Sequence, residues 1–490
     1  MHVSARSAPC RAAELTHRTE AKNLCAASIH DADERGAWER YISCVPRPDP
    51  RVASQVADYL TLQRAHSHET VEDTLRDVLD ALAVIDETGA VTLQAAQRDD
   101  GAELARLRAC KADLFGLIAE QLDAFTLWFL NHCDRFASVE GDVKREASAG
   151  RARWAVWLNV NKNPRLKSVE FPRFGLQLDI HKQLALAPIA IRAHLLDAAI
   201  KFAECSGGEW YPVGPILTVE LLALPAMAKP TANEWTMRLQ GAQANRLHRL
   251  PYPIPPAGGD AGNWQSDDDV PAIGFNTDIT PALVEMAGTS LQVWCFPRHA
   301  SCFVRHTWHC EQPARRLQVG MWDARAAQWT SDHVSGVGLT DGKLCFKATR
   351  LAPFAVVCSR AALLPYSSWS VRPAGGDGGD AAVLTVDVGV SGTPITFEVG
   401  RGCIRLRGPE LAPLAHLLGV AMQPVELLAA LARVGMFLTP AERDAEAADV
   451  VVKDFATERA MCHDVASLAG SHLIASSKWT QYVEVWCPPR

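Results

Sequence analysis

Six thiol and imidazole side chains lie close together in one segment of the sequence, and both groups bind metal ions. They are Cys295, His299, Cys302, His306, His309 and Cys310. Zinc prefers such ligands, and four of the six would complete a closed tetrahedral site. The spacing is not that of a known zinc finger, and alternate residues of a strand point to opposite faces. Buried thiols with surface histidines are therefore the competing interpretation, and we predict no resident metal.

A basic stretch is the second candidate site. Between residues 151 and 182 there are seven lysines and arginines but only Glu170 and Asp179, a local charge of +5 in a chain whose net charge is -7. Such a patch can attract an acidic partner. The competing interpretation is that these cations flank turns and protect strand edges. The predicted partner-binding residues are Arg151, Arg153, Trp154, Trp157, Lys162, Arg165, Lys167 and Arg173.

The sequence contains none of the catalytic patterns that we searched for. It has no Gly-x-Ser-x-Gly elbow and no His-Glu-x-x-His, and Leu344 stands where a phosphate loop needs Ser or Thr. His66 and His68 lie two apart at a predicted helix start, so we expect their side chains to face different directions. We predict no catalytic residue, no cofactor and no enzymatic activity.

Composition narrows the class of protein. The 490 residues are 48% hydrophobic and 21% charged, which is typical of a globular protein. The acidic balance argues against a nucleic-acid partner. Glu220 and Pro225 interrupt the longest apolar run, so we predict no membrane partner. The 14 cysteines include no Cys-x-x-Cys pair, which favours reduced thiols in a cytosolic protein.

Hydrophobic periodicity predicts long helices first. Thr70 and Asp73 resemble a capping box. The apolar residues that follow have the near-heptad spacing of coiled coils: Val71, Leu75, Val78, Leu82 and Ile85. A further stripe predicts another helix: Leu104, Leu107, Leu114, Ile118, Leu122, Phe125 and Trp128. We expect these helices to form an antiparallel hairpin or a bundle.

The period changes to two from Trp154 onwards, where Trp154, Val156, Leu158 and Val160 give one apolar face of a strand. Asp341-Gly342 predicts a tight hairpin later on. Trp322-Asp323 occurs once, whereas a WD propeller repeats this unit every ~40–45 residues. The predicted fold class is α+β: an N-terminal helical hairpin or bundle, antiparallel β-sandwich-like modules and a C-terminal α+β region, not a propeller.

Composition shifts predict six segments along the chain. They are a flexible tail at 1–32, a helical domain at 33–140, a first β-rich module at 150–228, a linker or loop at 229–285, an antiparallel β module at 286–362 and a C-terminal α+β module at 363–490. The linker is predicted from its many Pro, Gly, Asn and Asp residues.

Several motifs together resemble one known family. A Trp-rich strand runs into Asn161-Lys162-Asn163-Pro164-Arg165, and Gly36 to Cys44 followed by Pro48-Asp49-Pro50 is similar to that family's N-terminal signature. Further matches occur in the same order along the chain: Asn233–Met237, Trp322-Asp323 with Trp329–Asp332, Ser368–Pro373 and Ser476–Trp479. The family is the axonemal dynein intermediate chain seven family, also called the Casc family. The chain departs from it at His333, where relatives have Gly, and in a shortened acidic insertion and N-terminal coil.

The resemblance implies a non-catalytic accessory or scaffold subunit of an axonemal inner-arm dynein in the cilium or flagellum. The implied partners are axonemal dynein heavy and intermediate chains and tubulin in the microtubule, and the implied role is support of ciliary motility. The alternative that the residues leave open is a zinc-stabilised or ligand-binding β-sandwich protein unrelated to cilia.

Overall fold

The protein is seen in a computed structural model that describes most of the chain in separate ranges. These are residues 47–97, 100–136, 143–197, 210–224, 229–230, 236–237, 246–254, 271–278, 318–340, 343–359, 366–374, 381–387, 394–400, 402–411, 414–433, 455–468, 473–477 and 484–486, with single residues at 27, 30, 31, 34, 35, 37, 38, 41, 42, 436 and 438. The chain forms two compact units, one within residues 47–359 and one made mostly of residues after 359.

Long helices open the first unit. The helices are α1 (Ala53–Ala65), α2 (Val71–Gln97) and α3 (Gly101–Asn131), followed by a 3-10 turn at Cys133–Phe136 and later by the short α4 (Lys182–Leu186). The Thr70 hydroxyl accepts a hydrogen bond from the Asp73 N–H at 3.2 Å, so the predicted capping interaction at the start of α2 is confirmed. Asp100 caps α3 in the same way, through the Glu103 N–H at 3.0 Å.

Two antiparallel sheets complete this unit. The first sheet has the strand order β1-β2-β5-β6-β15-β11-β12, with β9 also on β6, and the second has the order β13-β14-β10-β4-β3. The strand bounds are β1 (Val143–Ala149), β2 (Ala152–Leu158), β3 (Ser168–Phe171), β4 (Leu176–Asp179), β5 (Ile189–Leu196), β6 (Trp210–Ala223), β7 (Lys229–Pro230), β8 (Thr236–Met237), β9 (Arg249–Leu250), β10 (Ile273–Thr277), β11 (Val319–Asp323), β12 (Gln328–Thr330), β13 (Val334–Thr340), β14 (Lys343–Ala348) and β15 (Pro353–Ser359). The small β7–β8 pair stands apart from both sheets.

Strand β2 lies between two hydrophobic cores. Trp154, Val156 and Leu158 belong to the core shared with the helices. Ala155 and Trp157 belong to the core shared with the second sheet. Successive side chains of a strand point to opposite faces, so one strand serves both cores. The resulting order is helices, first sheet, second sheet, and it explains why nearly every residue of β2 is buried.

The Pro- and Gly-rich segment that composition predicts to be a linker contains a strand. Strand β10 pairs with β14 on one side and β4 on the other, so it lies inside the second sheet. Its residues Gly274 and Asn276 are poor strand formers, and the strand is supported by its two neighbours instead. Strands from the two predicted β modules also share both sheets, for example β6 beside β15. The six predicted boundaries themselves stay a prediction.

The second unit contains another antiparallel sheet, with the order β19-β18-β17-β16-β20-β21. Its elements are β16 (Ser368–Pro373), β17 (Ala382–Asp387), β18 (Ile395–Gly400), β19 (Cys403–Gly408), α5 (Pro424–Arg433), α6 (Phe455–Leu468), β20 (Leu473–Ser477) and β21 (Glu484–Trp486). Leu427 and Leu431 of α5 are buried, as their spacing predicts.

The fold class is confirmed: helices come first, antiparallel sheets follow, and a mixed helix and strand region ends the chain. The strand orders of the described residues contain no closed barrel and no propeller. Strands β13 and β14 pair on either side of the predicted Asp341-Gly342 hairpin, with Thr340 opposite Lys343, and the two turn residues themselves lie outside the described residues. The Trp-Asp motif forms a different hairpin, in which Trp322 pairs with Trp329.

Candidate partner-binding surface

The six predicted zinc ligands, Cys295, His299, Cys302, His306, His309 and Cys310, lie outside the described residues. The metal interpretation of that segment therefore stays a prediction. The eight predicted partner-binding residues all lie within the described part, and the structure separates them into three groups.

The two tryptophans fill the cores. Trp154 is 0% exposed, and its ring packs edge-on against Phe125 and Phe129 of α3. Its indole N–H lies 3.3 Å from the Thr126 hydroxyl, which satisfies the polar end. Trp157 is 4% exposed and lies between the two sheets. Neither side chain reaches the surface, so we remove both from the candidate surface.

Two of the cations are held by carboxylates. Arg151, in the turn between β1 and β2, donates to Asp86 of α2 at 2.5 Å and to Asp197 at 2.9 Å. Burial lowers the pKa of Arg151, but the Asp86 hydrogen bond and the charge of Asp197 outweigh it, and the net shift is upward. Arg153 donates to Asp278 at 2.8 Å and to the Phe174 carbonyl at 2.7 Å. The charges of these two arginines are therefore already paired, and their side chains hold parts of the fold together.

Four cations are exposed: Lys162, Arg165, Lys167 and Arg173. None of them forms a salt bridge with another described residue. Lys162, Arg165 and Lys167 lie in the connection from β2 to β3, and Arg173 lies in the turn after β3. Because β3 is only four residues long, its two ends are roughly 13 Å apart, so these side chains flank one strand. We call this set the basic rim.

The Asn-Lys-Asn-Pro turn has an internal anchor in Asn159. Its buried side-chain amide donates to the carbonyls of Leu184, Ala185 and Ala187 at 2.8–3.0 Å, which satisfies the end of α4. Lys162 itself has φ +48°, a left-handed conformation that costs a non-glycine residue about 1–2 kcal/mol. The motif thus carries the charged side chain of Lys162 on a backbone conformation that is unfavourable for a non-glycine residue.

Charged side chains of β1 contact β3 and the turn that follows it. Strands β1 and β3 are the terminal strands in the orders of the first and second sheets. The Lys144 ammonium donates to the Glu170 carbonyl at 2.7 Å. The Glu146 carboxylate accepts from the N–H groups of Arg173 and Phe174 at 2.9 and 3.1 Å. On the opposite face of β1, Arg145 lies 3.4 Å from Glu72 of α2. These contacts connect all three layers beside the basic rim.

A partly buried charge cluster lies elsewhere, where α3 meets the first sheet, and we call it the four-charge cluster: Asp123, Arg192, Glu220 and Arg249. Arg192 is 2% exposed and donates to Glu220 at 2.9 Å and to Asp123 at 2.8 Å. Arg249 bridges the same two carboxylates at 2.8 Å. Burial alone would raise the pKa of Glu220, but the charges of Arg192 and His194 and both arginine hydrogen bonds lower it to about 2. The formal charges cancel, so the cluster joins elements without attracting a charged partner.

Sequence reasoning missed a convergence of three side chains between α1 and α2. The prediction that His66 and His68 face different directions is wrong, because both imidazoles contact the Asp77 carboxylate. The residues lie after α1 has ended, in extended backbone rather than helix. Residues two apart in extended chain share a side, and a helix end after Ala65 would have been the signal to look for.

No helix in the described ranges is both long and apolar enough to cross a membrane.

Comparison with known proteins follows the motif-based expectation. A family profile described as "Cancer susceptibility candidate 1 N-terminus" matches residues 8–165, which include α1 to α3 and the Trp-rich β2. Dynein axonemal intermediate chain 7 of Danio rerio is 22% identical over 95% of this chain and 76% of the relative. The proteins of the same name from Bos taurus and Homo sapiens are 24% and 25% identical over 32% of this chain, and the aligned part spans 22% of each. The resemblance to the axonemal dynein intermediate chain seven family is confirmed.

Proposed function

We propose that this chain is a non-catalytic accessory subunit of an axonemal inner-arm dynein, acting in the cilium or flagellum. The observation that carries the proposal is the alignment to a dynein axonemal intermediate chain 7 along 95% of this chain. The division of the chain into two compact units supports it, because separate units can contact different chains of a dynein complex. A subunit that contacts several partners gains affinity from linkage rather than from one strong contact.

The basic rim is the surface that we propose for an acidic partner, in the first place the tails of tubulin. Its four side chains are exposed and make no salt bridge within the described part of the chain, whereas Arg151 and Arg153 are engaged by Asp86, Asp197 and Asp278. Exposed ion pairs are worth about 0.2–1 kcal/mol each and weaken with salt. Contact through this rim should therefore be weak, additive and salt-dependent.

The dynein assignment is tested by tagging the full chain in a ciliated cell, isolating axonemes and identifying the proteins that co-purify. We expect axonemal enrichment and recovery of dynein heavy or intermediate chains. Retention in the cell body without any dynein chain would contradict the assignment.

The tubulin contact is tested separately by co-sedimentation with microtubules over a salt series. The double variant Arg165→Glu, Lys167→Glu should weaken binding roughly tenfold at low salt, by the loss of about two exposed ion pairs and added repulsion. A matched control carries the same charge change at two exposed lysines of β14, as Lys343→Glu, Lys347→Glu. This strand lies three positions from β3 in the same sheet.

Removing the acidic tails from the microtubules should abolish the difference between the two double variants. Equal binding of the Arg165 and Lys167 variant and the wild type to intact microtubules would remove the rim from the proposal. The dynein assignment would stand, because the axoneme experiment does not depend on tubulin binding.

A further inference from the structure

His66, His68 and Asp77 meet at the corner between α1 and α2. The α1 helix ends at Ala65, and His66 has the extended conformation φ -71°, ψ 134°. His66 and His68 therefore project from the same side of the connecting segment. Asp77 lies in the second turn of α2, and helical side chains lean towards the N-terminus of their helix. The backbone thus directs all three side chains to one point.

Two different imidazole nitrogens approach one carboxylate oxygen. His66 Nδ1 lies 3.1 Å and His68 Nε2 lies 2.7 Å from the same Oδ2 of Asp77. The ligand atoms of the three residues all lie within 4.8 Å of one another. Tetrahedral zinc with bonds of about 2.0–2.1 Å needs ligand atoms roughly 3.3 Å apart. The two His–Asp separations would have to lengthen by about 0.2 and 0.6 Å to admit such an ion.

Burial and charge around the cluster suit a bound cation. Asp77 and His68 have side chains 15% and 23% exposed, whereas His66 is 49% exposed. The ion would thus be seated against the helices with one side open to solvent. The cations near this segment are held by other carboxylates. Arg47 pairs with Asp80, Arg64 with Glu120 and Arg76 with Asp73.

We propose that His66, His68 and Asp77 form a binding site for a divalent zinc-class ion, with a water molecule as the fourth ligand. Two imidazoles and one carboxylate are a typical three-residue zinc set, and magnesium and calcium prefer oxygen-only sites. The ion would fasten the connection between α1 and α2 to the body of α2. This inference is independent of the proposed role in dynein and of the cysteine-rich segment.

The test is a titration of the full chain with Co²⁺, which binds the same ligand types as Zn²⁺ and reports its ligands in the visible spectrum. We expect a visible band without thiolate-to-cobalt charge transfer, and displacement of Co²⁺ by Zn²⁺. The double variant His66→Gln, His68→Gln should lose this band and weaken the corresponding binding step by at least about tenfold. Asp77→Asn is the second variant, which keeps the side-chain size.

Two controls make the result specific. His416→Gln removes an exposed histidine of the other unit and should leave the titration unchanged. The triple variant Cys295→Ser, Cys302→Ser, Cys310→Ser should retain the band. Folding of every variant is checked by circular dichroism and by its urea midpoint. The proposal is overturned if well-folded His66 and His68 or Asp77 variants bind Co²⁺ like the wild type, if the full chain binds none, or if the band carries thiolate charge transfer and disappears only in the cysteine variant.

Discussion

The four-charge cluster and the basic rim use the same residue type in opposite ways. Arg192 is 2% exposed and shares two carboxylates with Arg249. Arg165 is exposed, and its backbone N–H donates to the Asn163 side-chain oxygen at 3.0 Å, while no carboxylate of the described residues pairs with its guanidinium. A buried charge must be paired and hydrogen-bonded, since desolvation would otherwise cost several kcal/mol. An exposed cation is solvated by water and has no such requirement, so its charge remains available to bind another molecule.

The comparison teaches that charge counts along the sequence do not locate a binding surface. Residues 151–182 carry a local +5 in sequence, but Arg151 and Arg153 are engaged by acids far away in the chain, at residues 86, 197 and 278. Pairing in three dimensions decides which cations remain available. Variants that change pairing should therefore alter stability, and variants of unpaired cations should alter only association.

The largest effect is expected from breaking the four-charge cluster. Arg192→Met keeps the aliphatic part of the side chain but removes the buried guanidinium, so Glu220 and Asp123 each lose one of their two arginine partners. The free energy of unfolding should fall by about 3–5 kcal/mol, as for other buried pairs that lose one member. Urea denaturation measures it, with Arg173→Met in the rim as the control. The control should change stability by at most about 0.5 kcal/mol. Similar effects of the two variants would refute the distinction.

The next largest effect is a pH dependence that belongs to Glu220. Its pKa lies at about 2 in the folded protein, against an ordinary value of 4.5, so its carboxylate stabilises the fold above about pH 4.5 and this contribution is lost as pH falls towards 2. The shift corresponds to a contribution on the order of 3 kcal/mol. Glu220→Gln should be less stable than wild type near neutral pH.

Urea denaturation from about pH 7 to about pH 3 checks the sign of that effect. The stability difference between wild type and Glu220→Gln should shrink as the solution becomes more acidic. Glu120→Gln, at the exposed ion pair with Arg64, serves as the control and should give a small difference throughout. A gap that widens in acid would contradict the pKa argument.

A smaller effect is expected when a paired arginine is released indirectly. Gly175 has φ +74°, and a Cβ there would lie 2.2 Å from the Asp278 carboxylate that holds Arg153. Gly175→Ala should cost about 2 kcal/mol, because it adds backbone strain and displaces Asp278. Gly150→Ala tests the strain alone: Gly150 has φ +49°, and the nearest atom to a Cβ there is in Leu79 at 3.9 Å. Thermal or urea unfolding should show the smaller loss in Gly150→Ala, and equal losses would exclude a part for Asp278.

The elements with long-range periodicity could be predicted from the sequence. Leu75, Val78 and Leu82 of α2 are at most 1% exposed. The later part of the predicted α3 stripe, from Leu114 to Phe125, is buried in the same core, whereas Leu107 belongs to a smaller cluster with Val91 and Ala95. Local chemistry is harder to interpret at Asp49 and Pro50. Asp is favoured at an N-cap and Pro at the first helical position, so the sequence alone predicts a helix start there. The α1 helix begins at Ala53, and Asp49 accepts the Arg51 N–H in a turn before it. Both conformations use the same residue types, so only the tertiary context separates them.

The candidate surface was predictable only in part. The cations of the rim are visible as a cluster in the sequence, but the burial of Trp154 and Trp157 depends on layers supplied by α3 and the second sheet. A Trp-rich strand with one apolar face is compatible with a binding surface until both faces are known to be covered. Similarly, no local pattern relates Arg192 to Asp123, because the contact spans 69 positions of the chain.

The hydrogen bonds from Lys144 and Glu146 of β1 to β3 and its following turn affect how another chain can contact the edges of the two sheets. An unprotected terminal strand offers peptide groups to any passing segment and invites stacking into fibres. Here Lys144 already occupies the Glu170 carbonyl and Glu146 occupies two N–H groups in the adjoining turn. Fewer peptide groups are thus left at this edge for a strand from another chain, so we expect contacts here to form mainly through side-chain charge. Such contacts are weakened by salt and form and break readily.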